Sequence, residues 1–162
     1  MNISVVPRKW FVERKGSKEE KKIFSTCNVI SIITPEHKPT NFKDEDIPFS
    51  NEYRNNENVL VLKYHDAHSP GEGVVLMSDN DAMKVKNFVD KIDKIKPLII
   101  HCTAGKSRSY TTGYCLNIYV NMICEENMKD FHEFMDNNKG IINSLVKKKL
   151  FNIFNIENKK GE

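Results

Sequence analysis

The side chains best suited to covalent chemistry lie between residues 101 and 109, where the chain reads His-Cys-Thr-Ala-Gly-Lys-Ser-Arg-Ser. Cys102 is a potential nucleophile, because a thiolate is intrinsically reactive towards electrophilic centres. Arg108 follows six positions later and carries a planar, permanently charged guanidinium that can donate two parallel hydrogen bonds to a phosphate. A sulfur nucleophile beside an oxyanion ligand indicates chemistry on a tetrahedral oxyanion such as a phosphate ester.

The segments on either side of this run predict the structure that would position it. Residues 97–100 are short and apolar, as expected of a buried strand, and residues 110–123 have the apolar spacing of a helix. Residues 101–109 would then form a tight loop at a helix N-terminus, where unpaired N–H groups and the helix dipole attract an anion. Gly105 allows the backbone angles that turn the N–H groups of residues 103–108 towards one point. The same positive field favours a thiolate over a thiol.

The complete pattern His-Cys-x-x-Gly-x-x-Arg-Ser/Thr resembles the phosphate-binding loop of the cysteine-dependent protein tyrosine phosphatases. The Ala-Gly pair and the Arg-Ser ending are similar to the dual-specificity branch of that family. The resemblance implies that Cys102 is the nucleophile, that Arg108 binds the phosphate and the transition state, and that Ser109 hydrogen-bonds the sulfur. It also implies that His101 orients the loop and tunes the thiolate. The remaining loop residues would bind the substrate phosphate: Thr103, Ala104, Gly105, Lys106 and Ser107.

Two other interpretations of this run are weaker. A cysteine with an arginine six positions later also occurs by chance, and such a cysteine is usually a small buried hydrophobe. The full motif between a strand and a helix argues against chance. Residues 104–107 imitate the end of a nucleotide-binding P-loop, but that motif requires a glycine five positions before Gly105, where the sequence has Ile100. The sequence therefore excludes a P-loop nucleotide triphosphatase.

Cleavage of a phosphomonoester also needs an acid that protonates the leaving oxygen, and residues 101–109 contain none. Asp66 is the candidate, because it ends the apolar, strand-like run that begins at Val59. In the resembling family the general acid lies a few tens of residues before the cysteine, on the loop after a strand. The turn-forming residues 68–73 predict a loop that can move, as a closing acid loop requires.

The other titratable side chains upstream of the cysteine have simpler explanations. Asp79 and Asp81 follow Ser78, a typical helix N-cap, so both acids are better interpreted as favourable charges in a first helical turn. His65 and His68 have no cysteine or second histidine at metal-ligand spacing. We therefore expect no metal, and the resemblance implies no cofactor.

Length and composition narrow the class of protein. A chain of 162 residues predicts a single phosphatase domain over residues 1–162, which favours the compact, shallow-pocket branch over the longer classical tyrosine phosphatases. The net charge is +3, and the 25 basic residues are interspersed with 22 acidic ones, so no nucleic-acid partner is expected. No apolar run approaches the ~18 residues of a membrane span, and the start lacks a signal-peptide core. We expect a cytoplasmic monomer.

Hydrophobic periodicity predicts an α/β fold. Strands are predicted at Ile3–Val6, Val29–Ile33, Val59–Lys63 and Leu98–His101, with Trp10–Val12 extending or pairing with the first. Helices are predicted over Asp79–Ile95, from Ser109 to about Ile123, over Asn127–Asp136 and over Ile141–Phe154. The expected architecture is a central mixed, mostly parallel sheet flanked by helices, with the active-site loop between a central strand and a helix. The resembling family has this fold.

The other cysteines and one long segment carry weaker predictions. In a reducing compartment the four cysteines need not be paired. Cys115 and Cys124 are interpreted as core or helix-end residues. Cys27 is a candidate redox partner of Cys102, because some members of the resembling family have such a cysteine. Residues 34–58, with three prolines and the acidic cluster Asp44-Glu-Asp46, are expected to form a solvated excursion, and the alternative is that they shape the substrate rim.

The predicted function is hydrolysis of phosphomonoesters on a phosphorylated protein, on phosphotyrosine and also on phosphoserine or phosphothreonine. A second hypothesis keeps the chemistry but takes a phosphoinositide or an RNA 5′-phosphate as substrate. Lys106 motivates it, since lipid phosphatases of this type have a lysine there, although their second loop lysine is Thr103 here. A third hypothesis is a non-catalytic phosphate-binding module, which the intact Cys102, Arg108 and Ser109 disfavour.

Overall fold

A computed structural model describes residues 1–35, 47–121 and 128–156. Its centre is a four-stranded sheet in the order β1-β4-β2-β3. The strands are β1 (Ile3–Pro7), β2 (Asn28–Ile33), β3 (Val59–Lys63) and β4 (Leu98–Cys102). All three pairings among these strands are parallel. The four predicted strands and the mostly parallel sheet are therefore confirmed.

Helices cover both faces of this sheet. They are α1 (Arg8–Val12), α2 (Lys18–Thr26), α3 (Asp79–Lys91), α4 (Arg108–Asn121), α5 (Met128–Asn137) and α6 (Ser144–Phe154), with a short 3-10 helix at Asn51–Tyr53. One face packs Ile30 and Ile100 against α3 to α6, whereas Val29 and Ile99 face a second cluster built from α1, α2 and residues 47–49. Every residue of β4 is buried, because a central parallel strand is covered on both sides.

Local capping sets the start of two helices near the site. The Ser78 side chain accepts from the Asp81 N–H, and the Asp81 carboxylate accepts from the Ser78 N–H, so the interpretation of this segment as a helix start is confirmed. Helix α6 begins three residues later than predicted. The side chain of Asn143 accepts the Val146 N–H at 3.1 Å and so caps the helix there.

The first part of the chain differs from the prediction. Trp10–Val12 lies in α1 instead of a strand, because the Phe11 ring is buried in an aromatic cluster with Phe24 and Phe49 on one face of the sheet. Helix α2 was not predicted, since its exposed face is rich in charge. Its sequence signal is the capping pattern Ser17-x-x-Glu20, in which Ser17 accepts the Glu20 N–H at 3.2 Å.

Residues 34–58 were expected to form a solvated excursion, and this prediction is wrong for residues 47–49. Ile47 and Phe49 are fully buried in the second cluster. The buried Glu20 carboxylate anchors this segment by accepting from the Ser50 N–H at 2.8 Å and from the Ser50 hydroxyl at 2.7 Å. Residues 36–46, with the acidic cluster at 44–46, lie outside the described residues, as does Cys124. In the part of the chain that is described, no helix combines the length and the hydropathy needed to cross a membrane.

Candidate active site

The loop between β4 and α4 has the predicted position, since the strand ends at Cys102 and the helix begins at Arg108. Neighbouring segments hold its outer side: the Thr103 carbonyl accepts from the Arg8 N–H at 3.2 Å, and the Lys106 carbonyl accepts from the Ile141 N–H at 2.8 Å. Among the described residues, nothing accepts from the N–H groups of residues 104–106. Free N–H groups at a helix N-terminus form a concavity suited to an anion.

Gly105 is required where this loop meets β1. Its φ is +71°, a left-handed conformation that side chains disfavour. A Cβ atom at this position would lie 2.8 Å from both the Pro7 nitrogen and the Val6 carbonyl carbon. The backbone of β1 therefore forms the outer wall of the loop, and only glycine fits against it.

The substitution Gly105→Ala is expected to lower the free energy of unfolding by about 1–3 kcal/mol, through backbone strain and the clash with β1. Urea denaturation measures the loss. The matched control is Gly16→Ala, which has the same type of strain at φ +76° but no atom within 4 Å of the added Cβ. An equal loss in both variants would show that the approach of β1 to the loop contributes nothing.

Cys102 and its neighbours on β4 are buried. The Cys102 sulfur lies 3.0 Å from the Ser109 hydroxyl oxygen, in a geometry that lets the hydroxyl donate to a thiolate. The His101 Nε2 lies 2.7 Å from the Ser31 hydroxyl on β2. Burial, assisted by the positive charge of Arg8, lowers the pKa of His101 to about 3. The imidazole is therefore neutral near pH 7.

The Arg108 guanidinium is held in a fixed orientation. Its Nη1 donates to the Tyr64 carbonyl at 2.7 Å, and its Nη2 donates to the Thr103 hydroxyl at 3.0 Å. The side chain is buried, and its Nε has no hydrogen-bond partner among the described residues. An unpartnered buried donor costs on the order of 1–3 kcal/mol, which a bound oxyanion would offset.

Asp66, the candidate acid, lies beside the loop. Its Oδ1 accepts from the Ser107 hydroxyl at 2.7 Å and from the Asn143 side-chain amide at 2.8 Å. The carboxylate is exposed and therefore accessible to a substrate. One loop therefore brings together Cys102, Arg108 and Asp66. The first two belong to the connection between β4 and α4, whereas Asp66 belongs to the connection between β3 and α3.

The histidines near Asp66 shape its loop. The His65 N–H donates to the Val75 carbonyl at 2.7 Å, and the Val75 N–H donates to the His65 Nδ1 at 2.9 Å. The His68 Nδ1 lies 3.0 Å from the Ser144 hydroxyl at the start of α6. Of the rival acids, Asp81 belongs to the capping box of α3 and Asp79 pairs with Lys149 at 2.7 Å.

Sequence reasoning missed three partners of the site. Ser31 holds His101, the Tyr64 carbonyl holds Arg108, and Asn143 holds Asp66. A carbonyl group has no sequence signal of its own. Asn143 does have one, since an asparagine just before an apolar helical run is a typical N-cap, but its second contact depends on tertiary packing.

The strand register rules out Cys27 as the redox partner of Cys102. Asn28 pairs with Leu98, so Cys27 lies before the start of the sheet while Cys102 lies at the end of β4. Five residues of strand separate their levels by on the order of 16 Å, whereas a disulfide requires Cα atoms within about 7 Å. Cys115 is a core residue of α4, as predicted, and burial raises its pKa to about 12.

No protein-family model and no curated protein matches this sequence. Among solved structures, PTPMT1 in complex with PI(5)P is 18% identical over 95% of this chain and 90% of that chain, with a TM-score of 0.49. Tk-PTP in its active form is 15% identical over 94% and 88%, with a TM-score of 0.47. OH1 from the Orf virus, a tyrosine phosphatase with triple substrate specificity, is 10% identical over 94% and 82%, with a TM-score of 0.48. The sequence of the loop between β4 and α4 is similar to that of the protein tyrosine phosphatases, and the solved structures named above are also similar to this chain.

Proposed function

We propose that this chain is a cysteine-dependent phosphatase that hydrolyses phosphomonoesters through a phosphocysteine intermediate. The observation that carries the proposal is the convergence of the Cys102 sulfur, the Arg108 guanidinium and the Asp66 carboxylate around one loop at a helix N-terminus. These three groups supply the nucleophile, the phosphate ligand and the acid that the reaction needs.

In the first step the Cys102 thiolate attacks phosphorus in line with the leaving oxygen. The S–P bond forms as the P–O bond breaks, and Asp66 gives its proton to the departing oxygen. Charge on the three equatorial oxygens is stabilised by the Arg108 guanidinium, including its unpartnered Nε, and by the free N–H groups of the loop.

In the second step a water molecule attacks the phosphocysteine. The ionised Asp66 accepts a proton from the water, the S–P bond breaks, and inorganic phosphate leaves. The Ser109 hydroxyl, 3.0 Å from the sulfur, donates to the departing thiolate and so makes it a better leaving group. The cycle returns both Cys102 and Asp66 to their starting protonation states.

The proposed substrate is a phosphorylated protein, and the exposure of Thr103, Ala104 and Lys106 supports a shallow site open to phosphotyrosine, phosphoserine and phosphothreonine. The exposed Lys106 amine also favours a second candidate, an inositide or an RNA 5′-phosphate, whose additional negative charges it could bind. A panel of phosphopeptides, phosphoinositides and 5′-phosphorylated RNA, assayed side by side, separates these substrate classes by kcat/KM.

The test of the reaction itself is hydrolysis of an aryl phosphate in the presence of a metal chelator, with acid quenching to trap the intermediate. We expect turnover and a phosphorylated Cys102 peptide. Turnover without a phosphorylated cysteine would contradict the mechanism. Phosphate binding without turnover would instead support the non-catalytic binding module.

The substitution Asp66→Asn is expected to lower kcat by ~10²–10⁴-fold for a substrate with a poor leaving group such as an alkyl phosphate. The loss should be much smaller for nitrophenyl phosphate, whose leaving group departs without a proton. Asp79→Asn removes the same charge from an acid paired with Lys149 and is expected to leave both rates unchanged. Equal losses on the two substrates would assign the proton transfer to another group.

A further inference from the structure

The Asn143 side chain joins the acid loop to α6. It is completely buried, and its two polar atoms have different partners. Its Oδ1 accepts the Val146 N–H at 3.1 Å, and its Nδ2 donates to Asp66 Oδ1 at 2.8 Å. Because the oxygen is held by the helix cap, the amide cannot rotate without losing that bond. The N–H group is therefore kept facing the acid.

The backbone around Asn143 is anchored to the phosphate loop and to α4. The Asn143 N–H donates to the Thr111 hydroxyl at 2.8 Å, and the Ile141 N–H donates to the Lys106 carbonyl at 2.8 Å. Gly140 lies against the Tyr110 ring so closely that an added Cβ would clash with the ring carbons. The position of the Asn143 amide is thus fixed relative to the loop that carries the nucleophile.

The two hydrogen bonds at Asp66 converge on one oxygen. Both the Ser107 hydroxyl and the Asn143 amide donate to Oδ1, whereas Oδ2 accepts from no described residue. An oxygen that already accepts two hydrogen bonds is poorly placed to carry the proton as well. The proton of a neutral Asp66 is therefore favoured on Oδ2.

We propose that Asn143 is a positioning residue that selects Oδ2 of Asp66 as the atom that delivers the proton; this rests on the function proposed above. In the first step the proton leaves Oδ2 for the leaving oxygen, and the resulting carboxylate keeps its two bonds at Oδ1. In the second step Oδ2 takes a proton from the attacking water. The bonds at Oδ1 strengthen when the carboxylate is charged, so the acid stays in place throughout the cycle.

Capping and positioning can be separated at this residue, because an N-cap needs only an oxygen. Asn143→Ser keeps a hydroxyl that caps α6 but removes the amide N–H that reaches Asp66. We expect kcat to fall by about 10- to 100-fold for an alkyl phosphate, as for loss of a hydrogen bond to a charged group, with KM unchanged. For nitrophenyl phosphate the fall should be less than about threefold, since little proton transfer is needed.

The control is Asn138→Ser, which changes another asparagine. Among the described residues, its side-chain amide hydrogen-bonds only to the Val5 N–H and the Phe134 carbonyl. This variant is expected to leave the ratio of kcat for the alkyl phosphate to kcat for nitrophenyl phosphate unchanged. Asn143→Ser combined with Asp66→Asn should show no loss beyond that of Asp66→Asn, because the positioned acid is already gone. If Asn143→Ser unfolds in a thermal melt, Asn143→Asp keeps the cap and the size while presenting an oxygen to Asp66, and the same selective loss is expected.

Three outcomes would overturn the proposal. The first is an unchanged kcat of Asn143→Ser for the alkyl phosphate. The second is an equal loss of kcat in this variant on the alkyl phosphate and on nitrophenyl phosphate. In either case, loss of turnover in Cys102→Ser would show that the proposed function stands without a role for Asn143. The third outcome, absence of turnover in the unmodified chain, would overturn the proposed function together with this role.

Discussion

Replacement of Cys102 by serine is expected to lower turnover of nitrophenyl phosphate by at least ~10³-fold, because the nucleophile of both steps is removed. A serine hydroxyl stays protonated near neutral pH. Asp66 does not serve as its base, because Asp66 is the acid of the first step and its Oδ1 already accepts from Ser107 and Asn143. The hydroxyl fits the buried space of the thiol and can still bond to Ser109, so the fold should remain intact. The measurement is kcat in the presence of a chelator, with a thermal melt to check stability.

The matched control is Cys27→Ser, which makes the same chemical change at the opposite end of the sheet. It is expected to match the activity of the unmodified chain under both reducing and mildly oxidising conditions, because Cys27 cannot reach Cys102. Full activity in Cys102→Ser would refute the phosphocysteine mechanism. Loss of activity in Cys27→Ser would refute the separation of the two thiols.

The second large effect is expected from Arg108→Lys, which keeps the positive charge but removes the planar fork. A lysine ammonium has a single nitrogen, so it cannot reproduce the separate donors at the Tyr64 carbonyl and the Thr103 hydroxyl, and it has no counterpart of the free Nε. We expect kcat/KM to fall by ~10²–10³-fold, the size of effect found when one preorganised oxyanion donor is lost. Binding of inorganic phosphate, measured as competitive inhibition, should weaken in the same variant.

Arg14→Lys serves as the control for this substitution. Arg14 stacks on the Trp10 ring at 4.2 Å and pairs with Glu19 at 3.3 Å, away from the phosphate loop. Its replacement should leave both kcat/KM and phosphate inhibition unchanged. If Arg108→Lys kept wild-type inhibition by phosphate, a point charge alone would account for phosphate binding, and the fixed fork would have no role.

The core of the candidate site was predictable from the sequence because it is local. Cys102, Arg108 and Ser109 lie within one short loop whose flanking strand and helix have clear hydrophobic patterns. Asp66 could be identified because it ends a strand-like run and because the general acid of the resembling family lies on the loop after a strand. Its position beside the loop follows from the parallel pairing of the strands, which brings the carboxyl ends of β3 and β4 to the same edge of the sheet.

The parts that could not be predicted depend on contacts between distant segments. Asn143 and Asp66 are 77 residues apart, and their hydrogen bond exists only after α6 packs against α4. The burial of Phe11 and Phe49 likewise follows from one aromatic cluster that no local periodicity reports. Packing therefore favoured a helix at Trp10–Val12 and buried residues 47–49 in the core.

The anchoring of Asp66 by Asn143 also has a consequence for the time at which activity arises during protein synthesis. Chains are made from the N-terminus and fold progressively as segments emerge. A nascent chain of residues 1–121 contains all four described strands, the nucleophile and the arginine. It lacks the segment whose Asn143 holds the acid and whose Ile141 N–H holds the Lys106 carbonyl of the phosphate loop. Catalytic competence should therefore be gained only when α6 docks and both the acid and the phosphate loop are held in place.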